Sequence, residues 1–285
     1  LDKVFQRRIM LTMGDQKDKK LNRLLASLGD SDLVSSRWLQ AHGYSRSLVA
    51  RYVSSGWLVS PARGVYLRKG GRLQWQGVLR SLQQREGLPL YIGGRFALEM
   101  HGHEHYLRLG EAATVTLYGE VRPPGWLGQL ALPERFMFCG RPPFEWPLPR
   151  FTVETPDNVL RDQGLERHEV LSGLEPIVCS TPERAILELC DGPTGAGLVY
   201  EADSIMQSLA TLRPRRVAEL LRHCRSIKAK RLFLALADRY QHAWLRRIPL
   251  DGVDLGSGKR VLVPGGRLHP TYQITLPRDL DEHLG

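Results

Sequence analysis

Leu33–Arg68 reads LVSSRWLQAHGYSRSLVARYVSSGWLVSPARGVYLR, and the fold turns on its middle third. Ser45 is placed to cap a helix that Gly56 stops. Within it Leu48, Val49, Tyr52 and Val53 share one face, since residues three and four apart on a helix point the same way. Arg46, Ser47, Ala50, Arg51 and Ser54 are left outside, two arginines among short side chains and no acid. Upstream, Leu33–His42 reads as a helix capped by Asp32 and closed by Gly43, with Leu33, Val34, Trp38 and Leu39 inward. Downstream, Trp57–Ser60 and Val65–Arg68 are strand-like, and Pro61-Ala62-Arg63-Gly64 between them is turn chemistry. Helix, short turn, helix and hairpin in that order predict a winged helix–turn–helix. The start of its second helix would enter a major groove. Arg63 at the wing tip, with Arg68, Lys69 and Arg72, would meet phosphates or a narrow minor groove. Three-helix units with wings also serve as protein-interaction modules, so the pattern alone leaves that reading open.

Working outward, Leu21, Leu24, Leu25 and Leu28 form one apolar stripe, so Lys19–Leu28 is expected to supply a first helix and complete a domain over 19–72. The segment Leu1–Asp18 is read as a disordered or non-native tail with Met13 as a candidate start; it has no apolar run of signal-peptide length. The formal net charge of +10 is unevenly spread. Residues 1–72 hold 14 Lys/Arg against 5 Asp/Glu, residues 73–212 hold 11 against 18, and residues 213–285 hold 15 against 7. Two basic ends around an acidic middle attract polyanions to particular faces, nucleic acid being the commonest. No run of about 18 apolar residues suggests a membrane span. Four cysteines without a CxxC pair read as reduced thiols in a cytoplasmic protein.

Residues 73–285 read as a mixed α/β domain, giving an α+β chain overall, with a sub-boundary near 197–212 and a basic, helical end. Helices are expected over Leu73–Arg85, Arg95–His101 and from Thr181, with Pro182 at its first position and Glu183 in its first turn. Strands are expected at Leu88–Ile92, Ala113–Tyr118, Phe136–Phe138, Phe151–Val153 and Glu175–Cys179. Further helices fall at Leu198–Gln207, Arg215–His223 and Lys228–Ala243, and a closing hairpin is placed around Pro264-Gly265-Gly266. Gly93-Gly94 lacks the spacing of a dinucleotide or phosphate loop and reads as a strand-to-helix turn. His101, His103, Glu104 and His105 suggest metal ligands, but HExxH is absent and no outside ligand is identifiable; no metal or cofactor is expected. Arg213, Arg215, Arg216, Arg222, Arg225, Lys228, Lys230 and Arg231 face only Glu219 across 213–231. They read equally as a second polyanion contact or as a solvated helix face.

The winged stretch resembles the N-terminal domain of AbiEi-family antitoxins, bacterial proteins paired with nucleotidyltransferase-like toxins in type IV systems. PLYIGGRFALEMHG (89–102) and LEPIVCSTPERAILELCDG (174–192) are similar to the C-terminal domain of that family. The resemblance spans most of 20–200 and only loosely the remainder. It implies a non-enzymatic repressor that binds repeats upstream of its own operon and counteracts a cognate toxin. It places Arg46, Ser47, Arg51 and Arg63 on the reading helix and wing tip. Two other readings stay open. One is a winged nuclease built on Glu99, Glu104, Glu183 and Glu188, which the absence of lysine from 73–212 and the better explanation of Glu183 as a helix start and Glu188 as a helix exterior weaken. The other is an antitoxin that embraces its toxin directly through the acidic middle, with DNA binding incidental. Oligomeric state is left open.

Overall fold

The computed structural model describes residues 19–103, 112–170 and 175–280. Their chain separates into two compact units. The first runs to Gly87 and takes in Pro124–Leu132 and Glu169–Pro176; the second is built from Leu88–Pro123, Pro133–His168 and the chain from Ile177 on.

In the first unit, helix α1 covers 19–27, followed by β1 (Leu33–Ser35), α2 (Ser36–Ala41), α3 (Arg46–Ser54), β2 (Leu58–Ala62), β3 (Val65–Arg68) and α4 (Trp75–Arg80). The antiparallel sheet has the order β1-β3-β2. Leu21, Leu24, Leu28, Val34, Leu39, Tyr44, Val49, Tyr52 and Leu58 form the core. Full burial contributes roughly 1.5–3 kcal/mol for a residue such as Leu24 or Leu39, each at most 1% exposed.

The expected helix Leu33–His42 is corrected here. Its first three residues are strand, pairing Leu33 with Leu67 and Ser35 with Val65, and the helix proper begins at Ser36. Ser35 is the cap, its side chain accepting from the Trp38 N–H. Asp32 is instead a buried hub that accepts from Gly29 N–H and is paired with Arg80 and Arg85. Those arginines lie on α4 and on the single π-helical turn Ser81–Arg85 that continues it, so the compact unit extends past Arg72. Ser81 also accepts from Leu33 N–H at 2.9 Å, and no room exists for a Cβ at Gly77 against Ser31.

The second unit carries β4 (Tyr91–Ile92), α5 (Gly94–Met100), β5 (Thr114–Tyr118), β6 (Arg135–Cys139), α6 (Asp157–Asp162), β7 (Leu165–His168), β8 (Ile177–Ser180) and α7 (Pro182–Cys190). Next come α8 (Ala196–Ser208), α9 (Pro214–His223), α10 (Ile227–Tyr240), β9 (Arg267–Leu268) and β10 (Thr275–Leu276). The five-stranded mixed sheet has the order β6-β5-β4-β8-β7, parallel where β4 meets β8 and β5 meets β6. The chain is thus α+β, with no described helix long and apolar enough to cross a membrane. All four cysteines are free, three of them buried.

Three expectations change in this unit. Phe151–Val153 is not a strand; Phe151 is buried beside Tyr91, Tyr118 and Leu165 in the core. The terminal hairpin pairs Arg267–Leu268 with Thr275–Leu276, one turn beyond Pro264-Gly265-Gly266. Glu188 is no helix exterior: at 1% exposure it accepts from Tyr91 Oη, Gly94 N–H, Ser180 Oγ and Arg184 Nε, each at 2.8–2.9 Å. Gly93-Gly94 therefore is a turn with a purpose. Gly94 has φ +58°, a conformation glycine adopts without strain, and it presents its N–H to that buried carboxylate.

Candidate nucleic-acid interface

Helix α3 is set by its two ends. Ser45 is the N-cap and its side chain accepts from Leu48 N–H at 3.3 Å; the turn before it passes through Gly43 at φ +82°. Tyr44 buries its ring and donates its hydroxyl to Lys20 O at 3.3 Å, fixing the turn to α1, and burial pushes its pKa up. Val49 and Tyr52 are buried and Leu48 and Val53 half-buried, as their spacing predicts. Arg46, Ser47, Ala50, Arg51 and Ser54 are all exposed.

The hairpin β2–β3 follows directly. It turns at Arg63-Gly64, with Gly64 at φ +78°, and a bulge between Val59 and Ala62 accommodates Pro61 on the edge strand. Ser36 N–H donates to Gly64 O at 2.8 Å, so the wing tip is tied to the start of α2 and Arg63 is held exposed on a fixed turn. Lys69 is also exposed, whereas Arg68 is drawn back, pairing with Asp30 at 3.2 Å and reaching Leu28 O. The segment 33–72 has no acidic residue at all. Burial works to raise the Asp32 carboxyl, but bonds from Arg85 and Gly29 and the charges of Arg80 and Arg85 outweigh it and hold it below the usual range. Its charge is thereby spent internally. Helix α2 adds exposed Arg37, and the wing shows Trp57 and Val59 at 49% and 43% exposure. Sequence reasoning missed these three, because treating Leu33–His42 as one helix and Trp57–Ser60 simply as a strand gave no reason to ask which side chains remain outside.

The eight basic residues at 213–231 do not form one open cationic face. Arg213 clamps Glu183 with two bonds of 2.9 Å, and Arg216 pairs with Glu219. Arg222 donates to Pro249 O and Asp251 O, Arg225 to Pro142 O and Phe144 O, and Lys228 to Asp191 O and Gly192 O. Lys230 is buried. Arg231 is also buried and donates to the carbonyls of Leu255, Gly256, Gly258 and Gln273. Arg215 is exposed. Half of this cluster, Arg222, Arg225, Lys228 and Arg231, thus holds loop carbonyls.

The carboxylates considered for a nuclease are similarly engaged: Glu99 with Arg95, Glu183 with Arg213, and Glu188 with Arg184. Glu104 and His105 lie outside the described residues. His103 accompanies Ser208 at 3.0 Å, while His101 turns toward β7 and β8.

No curated protein matches the chain. The crystal structure of the RV2827C protein from Mycobacterium tuberculosis is similar at 17% identity and a TM-score of 0.47, with 85% of each chain covered. Residues 17–109 match the family described as transcriptional regulator, AbiEi antitoxin N-terminal domain. Residues 112–277 match transcriptional regulator, AbiEi antitoxin, type IV toxin–antitoxin system. With nearly its whole length accounted for in this way, the chain belongs to the AbiEi antitoxin family of transcriptional regulators.

Proposed function

We propose that this chain represses its own operon by binding duplex DNA through α3 and the wing of residues 19–72, and that residues 73–285 counteract a cognate nucleotidyltransferase-like toxin in the cytoplasm. The observation that carries the DNA half is the exposed, acid-free surface of Arg46, Ser47, Ala50 and Arg51 on α3 beside the fixed wing residue Arg63. Short side chains between two arginines let the helix backbone approach base edges. Arg46 and Arg51 contact guanines or phosphates, with Arg63 and Lys69 on the flanking backbone. Arg68 acts as a shared group, since its pairing with Asp30 is largely solvent-exposed and exchanges readily for a phosphate. Repeated half-sites would seat copies side by side on the operator.

A reporter fused to the chain's own upstream region tests the regulatory half. Repression on supplying the protein in trans, lost on scrambling the upstream repeats, is expected. Equal expression with and without the protein contradicts it. For the antitoxin half, co-expression with the product of the adjacent gene should restore growth, and co-purification of the two separates direct embrace from indirect antagonism.

A further inference from the structure

The antiparallel pair β7–β8 places Glu166 opposite Cys179, so the two side chains share one face of the sheet. His168, two residues along β7, points to that same face. His101, the C-cap of α5, closes over them. Its ring meets His168 edge-on at 5.1 Å, and its Nε2 lies 3.5 Å from Glu166 Oε1 and 3.9 Å from Cys179 Sγ. The ligating atoms of His101, His168 and Cys179 all fall within 4.8 Å of one another.

We infer that His101, His168, Cys179 and Glu166 form a binding site for a divalent transition metal, with Zn²⁺ the best match. Zinc takes thiolate, imidazole and carboxylate ligands at about 2.0–2.3 Å, which in a tetrahedron sets donor atoms about 3.3–3.6 Å apart. His101 Nε2 to Glu166 Oε1 matches that spacing and His101 Nε2 to Cys179 Sγ exceeds it by about 0.3 Å. The His101, His168 and Cys179 atoms spread to 4.8 Å, so the side chains draw in by about 1 Å to close on the ion. One thiolate and one carboxylate balance the charge of the ion, and the sulfur with two imidazoles selects against magnesium and calcium. Cys179 binds zinc as a thiolate: the S–H bond breaks, the S–Zn bond forms, and the proton leaves to solvent. His101 Nε2 also sits 2.9 Å from Ser180 O, and a bound metal takes over that nitrogen. Three ligand positions come from strands far from the histidine run at 101–105, so no spacing motif reports the site.

The full-length protein, stripped with a chelator and resupplied with Zn²⁺ or Co²⁺, is the test. One retained equivalent is expected, with the cobalt form showing a near-ultraviolet thiolate charge-transfer band and the intense visible bands of a tetrahedral centre. Cys179→Ser should abolish the charge-transfer band and Cys139→Ser should leave it. His168→Asn should lose at least the roughly tenfold in affinity that even outer-shell changes produce. Wild-type protein that retains no metal, or shows no thiolate band, overturns the inference without recourse to any variant. Metal retained equally by the Cys179→Ser and His168→Asn proteins also overturns it.

Discussion

Asp32 and Arg85, 53 positions apart in the chain, meet at 2.8 Å beneath the winged sheet, with Arg80 on the second carboxylate oxygen. Because the folded Asp32 carboxyl is held below its usual range, its contribution to stability is fully present above the unfolded value near pH 4 and is lost as pH falls through the lower folded value. Asp32→Asn should therefore lower the stability of this unit at pH 7 by about 3–5 kcal/mol, because two partly or fully buried guanidiniums lose their counter-charge. The difference between variant and wild type should shrink as pH falls below about 4. Urea unfolding followed across pH 2.5–7 checks both the size and the direction, and a difference that grows toward acid would count against the assigned role.

Arg63 offers a cleaner probe of the wing. It stands exposed at the tip, so Arg63→Ala should leave thermal stability within about 0.5 kcal/mol of wild type. If Arg63 meets phosphate, DNA affinity should drop on every sequence alike, and the slope of log affinity against log salt should become shallower by about 1. Binding isotherms at several salt concentrations supply that slope.

Arg231 is expected to behave oppositely. Its guanidinium serves four carbonyls of the C-terminal segment, so Arg231→Lys should fail to substitute, a point charge replacing a planar fork. Limited proteolysis should then cut within 250–276 faster than in wild type, while the salt slope for DNA is unchanged. A shallower slope would instead return Arg231 to the polyanion-contact reading.

Much of this was legible in the residues. The α3 face, its Ser45 cap, the Arg63-Gly64 turn and the Thr181-Pro182 helix start are local features, each set by periodicity or by turn chemistry within a few positions. The errors are all long-range. Asp32 is a good cap by type, and only Arg80 and Arg85 from a later helix make it a buried ion-pair partner. Leu33-Val34-Ser35 is too short to declare itself as strand; pairing with Val65–Leu67 decides it. Strand β7, LERH, carries no β signature and is strand because β8 lies beside it. In the basic stretch 213–231, sequence records the charges but not which of them loop carbonyls engage, as they do for Lys228 and Arg231.

The reading of α3 as the DNA-contacting helix is tested most directly by a gel shift on the chain's own upstream region, comparing wild type with Arg46→Ala/Arg51→Ala. Both side chains are exposed, so melting temperature should be preserved while specific affinity falls by at least about tenfold, the loss of a single bidentate arginine–guanine contact being worth about 1–3 kcal/mol. A folded double variant that binds the upstream fragment as tightly as wild type would contradict the account.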